Sequence, residues 1–143
     1  VLGICGGMQM LGERVEDPEG VESRARAMKG LGKLGISTVM RGEKVVRQVR
    51  AGAVTGYEIH MGETTGDAVS ADGRITGTYI HGLLDADEFR HNWIARMRAE
   101  CGLTPSAGYV QVSAEREARI NRLAAHVREW LDIGLLKRWV IMK

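Results

Sequence analysis

The chain has 143 residues, of which 44% are hydrophobic and 27% charged, a composition typical of one globular domain with a real core. Its formal net charge of +2 and its 5% aromatic content argue against a nucleic-acid-binding surface and give no reason to expect an anionic membrane as a partner. There is no apolar run of about 18 residues, so we expect no membrane span, and we expect no signal peptide. The two cysteines form no metal-binding pattern. We therefore expect a reduced, cytoplasmic protein.

The first half of the chain alternates strand patterns with glycine-rich segments. In chain order it predicts the end of a buried parallel strand at Val1–Ile4, a helix at 6–15, a loop at 16–32, and strands at 34–40 and 44–50. The helix prediction depends on Met8, Leu11 and Val15, which would share one face.

The second half predicts two strands followed by two helices. In the segment "GYEIHMGET", Tyr57, Ile59 and Met61 alternate with Glu58, His60 and Gly62, which predicts a strand with two different faces. A turn at 71–73 precedes a strand at 75–80. The first helix would begin at Asp85 or Asp87 and carry an apolar stripe of Phe89, Trp93, Met97 and Cys101. The second would carry Ile120, Leu123, Ala124, Val127 and Leu131 and stop near Gly134.

The pentapeptide Gly3-Ile4-Cys5-Gly6-Gly7 fits the glycine-x-nucleophile-x-glycine pattern of a sharp turn between a strand and a helix. In such a turn the nucleophile has a strained backbone, and the two flanking glycines avoid a collision of a Cβ with the strand or the helix. The following helix directs N–H groups at the sulfur, and the N–H of Gly6 can donate to an oxyanion. The pentapeptide alone fits a buried structural cysteine equally well. Cys101 lies in an apolar stripe and is expected in the core.

A thiol nucleophile requires a base within hydrogen-bond reach, and histidine is the usual one. His91 and His126 lie in charged helical segments and are expected on the surface. His81 ends a strand pattern before a glycine, which suits a side chain at the carboxyl edge of an open parallel sheet. A mid-strand histidine such as His60 commonly has a structural role. Spacing alone leaves the choice of base open.

The turn is the first of several motifs along the chain. They are "GICGGMQMLG", "DPEGVE", "GYEIHMG" and "GTYIHGLLD", with the late helical segment "REARINRLAAHVREWLD". Together they resemble the C-terminal class I glutamine amidotransferase domain of the cobyric acid synthase family, over most of the chain. The resemblance implies an α/β, flavodoxin-like, three-layer fold with a parallel sheet between helices. Because the family's domain begins upstream, residues 1–143 would be a partial domain that starts at the nucleophile strand and lacks its N-terminal strands.

Carried over by motif, the resemblance implies that Cys5 is the nucleophile and His81 the general acid and base. Many amidotransferases carry a glutamate two residues after this histidine, but here that position is Leu83. The group that orients His81 is therefore unassigned, and Asp85 is a candidate.

The resemblance also implies which residues bind the substrate. Gln9 matches a position that contacts bound glutamine. Gly6 would also bind the substrate, through its N–H. His60, Met61 and Gly62 fall where related enzymes offer backbone groups to the α-carboxylate and α-ammonium of glutamine. On this basis His60 would be a substrate-side or structural residue.

The implied function is release of ammonia from glutamine through a thioester on the cysteine. The ammonia would serve ATP-dependent amidation of cobyrinic acid a,c-diamide in cobalamin biosynthesis. A synthetase domain outside these residues would bind ATP, Mg²⁺ and the corrinoid, so no cofactor or metal is expected in this chain, and a homo-oligomer is compatible with the resemblance. Without the upstream half of the oxyanion hole, the chain alone is expected to hydrolyse glutamine poorly or not at all.

Two other interpretations remain open from the sequence. The chain could be a non-catalytic folding or interaction unit whose exposed sheet edge pairs with another copy or with upstream strands. It could also be a cysteine peptidase or a related hydrolase built on a similar turn. Gln9 and the segment "GYEIHMG" speak against the peptidase.

Overall fold

A computed structural model describes residues 1–52, 54–106, 108 and 110–141. The chain divides into two compact units, Val1–Leu83 and Leu84–Lys143. In the described ranges no helix is both long enough and apolar enough to cross a membrane.

In its described residues the first unit combines one short helix with seven strands. They are β1 (Leu2–Ile4), α1 (Gly6–Leu11), β2 (Arg14–Glu16), β3 (Ala27–Lys29), β4 (Gly35–Ala51), β5 (Val54–Asp67), β6 (Thr76–Thr78) and β7 (Ile80–His81). Strand β1 pairs in parallel with β6, which confirms the parallel strand predicted at the start of the chain. The other five strands form a mixed sheet in the order β3-β2-β4-β5-β7. The α/β class is confirmed.

The helix after β1 is shorter than predicted. It ends at Leu11 because Gly12 takes an extended conformation with ψ −174°. A Cβ at Gly12 would lie 2.6 Å from the carbonyl oxygen of Ile36, so the chain passes close to β4 here. Val15 then enters β2, parallel to β4, and the prediction of a helix as far as Val15 is wrong. Its three apolar positions matched the helical period over too short a segment.

The predicted loop 16–32 is also partly wrong, since β3 (Ala27–Lys29) lies within it and pairs antiparallel with β2. The two strands predicted at 34–40 and 44–50 are one strand, β4, with a bulge between Val39 and Lys44 in its ladder with β5.

Strand β5 shows the predicted alternation. The side chains of Glu58 and His60 are only 13% and 11% exposed, whereas Tyr57 and Ile59 on the other face are exposed. The strand therefore turns one polar face inward, towards the interior of the first unit.

The core of the first unit lies between α1 and the strands. It consists of Met8, Leu11, Leu34 and Ile36, with Ala68, Ile75 and Tyr79 packed against it. Burial of a side chain of this size stabilises the fold by about 1.5–3 kcal/mol. A Cβ at Gly77 in β6 would lie 2.3 Å from Cγ of Met8, so the glycine lets the helix pack directly on this strand. The position of α1, and with it that of Cys5, is therefore fixed by the core.

The segment between β2 and β3 is organised around the carboxylate of Asp17, which is 4% exposed. This carboxylate accepts hydrogen bonds from the backbone N–H groups of Val21 at 2.7 Å, Glu22 at 3.0 Å and Ser23 at 2.9 Å. Burial of Asp17 opposes its ionisation, but these hydrogen bonds outweigh the burial and hold the pKa of the carboxyl below its ordinary value. The ionised carboxylate therefore holds this loop in shape.

We expect the stability of the protein to depend on the ionisation of Asp17. A carboxyl whose pKa is lowered by folding contributes stability above the unfolded pKa of about 3.9, and this stability is lost as pH falls through the lower, folded pKa. Asp17→Asn should have a lower free energy of unfolding at neutral pH and a flatter dependence between about pH 5 and pH 3. Urea denaturation across this range measures both effects. Glu19→Gln, in the same loop, is the control, and equal slopes for all three proteins would contradict the prediction.

The second unit is helical. A 3₁₀ helix at Leu83–Asp85 leads into α2 (Asp87–Glu100), α3 (Val112–Trp130) and α4 (Ile133–Ile141). The carboxylate of Asp87 accepts Nη2 of Arg90 at 2.7 Å and the N–H of Val112 at 2.9 Å. It therefore ties α2 to the start of α3, while the residue at the N-cap of α2 is Ala86 and makes no side-chain capping bond.

Both predicted helices are present, but two predictions for this unit are wrong. The second helix ends at Trp130, and Gly134 lies inside α4, because the chain has only a short extended break at Leu131. Cys101 is exposed at the carboxyl end of α2, where the helix can no longer bury it. The apolar side chains predicted for the second helix lie in α3, where Ile120 is 52% and Leu123 64% exposed.

Candidate active site

The site is built on the turn between β1 and α1. Cys5 occupies this turn with φ 52° and ψ −118°. It is the one non-glycine with a positive φ in the described residues. Such a conformation costs about 1–3 kcal/mol and persists where the surrounding structure enforces it. Here the N–H of Cys5 donates to the carbonyl of Thr78 at 2.8 Å, at the end of β6. The predicted strained turn is present.

The two glycines that flank this turn have different roles. A Cβ at Gly3 would lie 2.5 Å from Cδ1 of Leu11 and 2.9 Å from both the carbonyl oxygen of Gly7 and the backbone nitrogen of Met8. Apart from its chain neighbours and the backbone of its own helix, no described atom would lie within 4 Å of a Cβ at Gly7. The steric reason predicted for glycine therefore holds at Gly3 and is wrong at Gly7.

The sulfur of Cys5 borders a cavity of about 200 Å³. Its lining residues come from α1, the loop after β2, and strands β4 and β5: Cys5, Gly6, Gln9, Glu22, Met40, Lys44, Ile59, His60 and Met61. Sγ of Cys5 lies 3.4 Å from the carbonyl oxygen of Ile59. The first N–H groups of a helix have no acceptor within the helix, so the N–H of Gly6 can serve a ligand in this cavity.

The amide of Gln9 is held from two sides. Its Nε2 donates to the carbonyl oxygen of Met61 at 3.2 Å and to the hydroxyl of Tyr79 at 3.0 Å. The predicted substrate-binding residue therefore lies in the same cavity as the sulfur, with its amide nitrogen already bonded.

His60 lines this cavity as well. Its ring stacks on Tyr79 with the centroids 3.7 Å apart, and its Nε2 lies 3.8 Å from Oε2 of Glu58. Its Nδ1 is buried and has no hydrogen-bond partner in the described residues. Of the other predicted substrate residues, Met61 lines the cavity, whereas Gly62 is buried opposite the bulge of β4 with φ 92°.

His81 lies in β7, where it pairs with Tyr57 of β5. The two rings are stacked, with centroids 5.1 Å apart and an angle of 8° between their planes. Nε2 of His81 is buried without a hydrogen-bond partner among the described residues. His81 is not a lining residue of the cavity, but it contacts β5 two residues from Ile59, the residue that Cys5 touches.

No described carboxylate of the first unit lies within ion-pair distance of His81. Asp85, the candidate from the sequence, lies 4.0 Å from Nη1 of Arg116 in the second unit, and its side chain is 66% exposed. Within the first unit, the ring of Tyr57 is the group that packs against the imidazole.

Two charged residues of the cavity were not predicted, namely Glu22 and Lys44. Neither forms an ion pair with another residue in the part of the chain that the structure describes. Glu22 is the last residue of the motif "DPEGVE", so the resemblance to the family could have indicated it as a site residue. Its backbone N–H donates to the carboxylate of Asp17. Lys44 reaches the cavity because it follows the bulge of β4, which no local pattern indicates. The described residues contain no group of three His, Cys, Asp or Glu side chains that could hold a metal ion.

Residues 1–89 match the CobB/CobQ-like glutamine amidotransferase domain. The chain belongs to this family, so it is an enzyme domain of the glutamine amidotransferase class, with the flavodoxin-like class I fold of that family. It is 44% identical to the cobyric acid synthase of Brucella anthropi over 95% of the chain and 31% of the relative. It is 40% identical to that of Ruegeria sp. strain TM1040, over 96% of the chain and 32% of the relative. The chain thus spans about a third of the length of these relatives.

Proposed function

We propose that the chain is the glutamine-hydrolysing part of a cobyric acid synthase. It would release ammonia from glutamine for the ATP-dependent amidation of cobyrinic acid a,c-diamide in cobalamin biosynthesis. The observation that carries the proposal is the strained Cys5 at the edge of a cavity that also contains Gln9. The relatives named cobyric acid synthase support the particular reaction.

The remaining partners follow from that reaction. ATP, Mg²⁺ and the corrinoid would bind to the synthetase part of a longer polypeptide, and only glutamine to residues 1–143. We place the protein in the cytoplasm, where both cysteines would stay reduced.

The reaction begins with attack of the Cys5 thiolate on the carboxamide carbon of glutamine. The N–H of Gly6 donates to the oxyanion that forms, the C–N bond breaks, and the nitrogen leaves as ammonia with a proton from His81. Water then attacks the glutamyl thioester while His81 takes its proton, which releases glutamate and restores the thiolate.

His81 is proposed as the acid and base because its motif matches the position of that residue in the family, and its buried Nε2 has no competing partner among the described residues. Nδ1 of His60 is also buried without a partner, so this observation alone does not separate the two histidines. Stacking on Tyr57 fixes the plane of its ring. The ring of His60 is instead engaged by Tyr79 on its face and by Glu58 at Nε2. These contacts favour a substrate-side role for His60.

The charges at the cavity support a free amino acid as the substrate. The ammonium of Lys44 can pair with an α-carboxylate, and the carboxylate of Glu22 with an α-ammonium. A residue inside a protein chain carries neither of these charges. The pair therefore favours glutamine over the internal peptide bond that a cysteine peptidase would cleave.

The test is labelling with 6-diazo-5-oxo-L-norleucine, a diazo-ketone analogue of glutamine, followed by peptide mapping. We expect modification of Cys5 and not of the exposed Cys101, which serves as an internal control in the same molecule. Glutamine should protect Cys5, and asparagine should not. Equal labelling of both cysteines, unaffected by glutamine, would contradict the proposal and favour a non-catalytic unit.

A further inference from the structure

Tyr79, between β6 and β7, connects the helix of the site to the mixed sheet. Its hydroxyl is bonded to Nε2 of Gln9 at 3.0 Å and to Oγ1 of Thr64. Oγ1 of Thr64 is in turn 2.7 Å from Oγ1 of Thr38, a residue that is 1% exposed. The ring of Tyr79 packs against the core and stacks on His60. A continuous polar chain therefore runs from the cavity into the interior of the first unit.

The chemistry of these partners fixes the orientation of the Gln9 amide. The carbonyl oxygen of Met61 can only accept a hydrogen bond, so the amide atom that faces it must be the nitrogen. Both hydrogens of this nitrogen are then committed, one to Met61 and one to Tyr79. Oε1 is the amide atom left for a ligand in the cavity, and it can only accept.

We propose that Tyr79 is a positioning residue that makes Gln9 an acceptor for the carboxamide N–H of glutamine. The inference rests on the proposed function of the cavity. The γ-carboxylate of the product glutamate has no such hydrogen and is repelled by an amide oxygen. The arrangement therefore makes the cavity selective for substrate over product.

The polar chain supports this orientation from behind. The hydroxyl of Tyr79 accepts from Gln9 and shares a second hydrogen bond with Oγ1 of Thr64, which shares one in turn with Oγ1 of Thr38. Removal of the Tyr79 hydroxyl would leave one hydrogen of Gln9 without an acceptor. Met61 alone would then hold the amide, so the direction of Oε1 towards the cavity would be less firmly fixed. The phenyl ring of Tyr79→Phe would still stack on His60.

The experiment compares Tyr79→Phe with the unaltered protein, in the longest natural polypeptide that contains residues 1–143. The first measurement is the glutamine concentration that half-protects Cys5 from the diazo-ketone. The second is the rate constant for labelling by the diazo-ketone, which has a diazomethyl carbon and no N–H at the position of the carboxamide nitrogen. We expect Tyr79→Phe to raise the half-protecting glutamine concentration about three- to tenfold, as for one lost hydrogen bond. The labelling rate should change less than about twofold, because it does not depend on that hydrogen bond. Glutamate should half-protect at an equal or lower concentration, because its carboxylate no longer faces a firmly fixed amide oxygen.

Two threonines of β5 provide a second variant and its control. Thr64→Val removes the hydroxyl that supports Tyr79, and it should raise the half-protecting glutamine concentration by a smaller factor. Thr65→Val, on the exposed face of the same strand, should leave it unchanged. If Tyr79→Phe fails to fold, the contrast between these two threonine variants decides the question.

Three results would overturn the inference. If the same glutamine concentration half-protects Cys5 in Tyr79→Phe and in the unaltered protein, the positioning role is refuted, while the proposed function still stands. An equal loss in protection and in labelling rate would show that Tyr79 has only a structural role. If glutamine fails to protect the unaltered protein, the proposed function falls, and this inference falls with it.

Discussion

Ammonia release from glutamine is expected to fall about 10²- to 10⁴-fold when His81 is replaced by asparagine, the usual contribution of a general acid and base. The expected cause is the loss of the imidazole Nε2, a buried atom that has no hydrogen-bond partner among the described residues and would carry the proton. The measurement is steady-state glutaminase activity in the longest natural polypeptide that contains the chain. The fall is expected in kcat with little change in KM, because proton transfer by His81 stabilises the transition state rather than bound glutamine.

Two other histidines are the comparison. His60→Asn should mainly raise the KM for glutamine, since His60 lines the cavity and stacks on Tyr79. His126→Asn, on the exposed surface of α3, should leave both constants unchanged. If His60→Asn abolishes turnover while His81→Asn retains it, the roles of the two histidines must be exchanged.

Gly3→Ala is expected to lower the free energy of unfolding by about 1–3 kcal/mol, or more if the helix cannot shift. The new Cβ would lie 2.5 Å from Leu11 and 2.9 Å from two backbone atoms of α1. Relief of these contacts requires the helix to move away from β1, and Cys5 moves with it. We therefore expect labelling of Cys5 by the diazo-ketone to fall together with stability. Urea denaturation and the labelling rate measure the two effects.

Gly7→Ala is the matched control two residues beyond the cysteine. A Cβ there meets open space, and alanine is favoured over glycine within a helix by about 0.5–1 kcal/mol. Stability should therefore stay the same or rise slightly, with Cys5 still reactive. Equal destabilisation by Gly3→Ala and Gly7→Ala would refute the steric account of this turn.

The strained turn could be predicted because its signals are local. A glycine two residues before the cysteine is required by contacts with the helix that immediately follows, so the sequence pattern reports the geometry directly. The alternation of β5 was predictable for the same reason, since the period of two is a property of each strand. The end of the helix at Gly12 was not predictable from the sequence, because it depends on the close approach of Ile36 in β4.

The remainder of the site depends on contacts between distant segments. Lys44 reaches the cavity through a bulge, and Tyr79 meets Gln9 across 70 residues of chain. Neither contact leaves a pattern within a window of the sequence. The stacking of Tyr57 on His81 likewise follows from the register of β5 with β7, which only the folded sheet determines.

The bulge of β4 restricts how the length of this strand can change. In the ladder with β5, Val39 faces Glu63 but Lys44 faces Met61, so five steps along β4 correspond to only two along β5. The surplus is odd, and side chains of β4 therefore swap faces across the bulge. Beyond the bulge the ladder is regular, so a one-residue deletion between Lys44 and Arg47 would not keep both Lys44 towards the cavity and Arg47 beside Glu58, whereas a two-residue deletion would preserve both directions. Tolerated length variants of this part of the ladder should therefore differ by even numbers of residues.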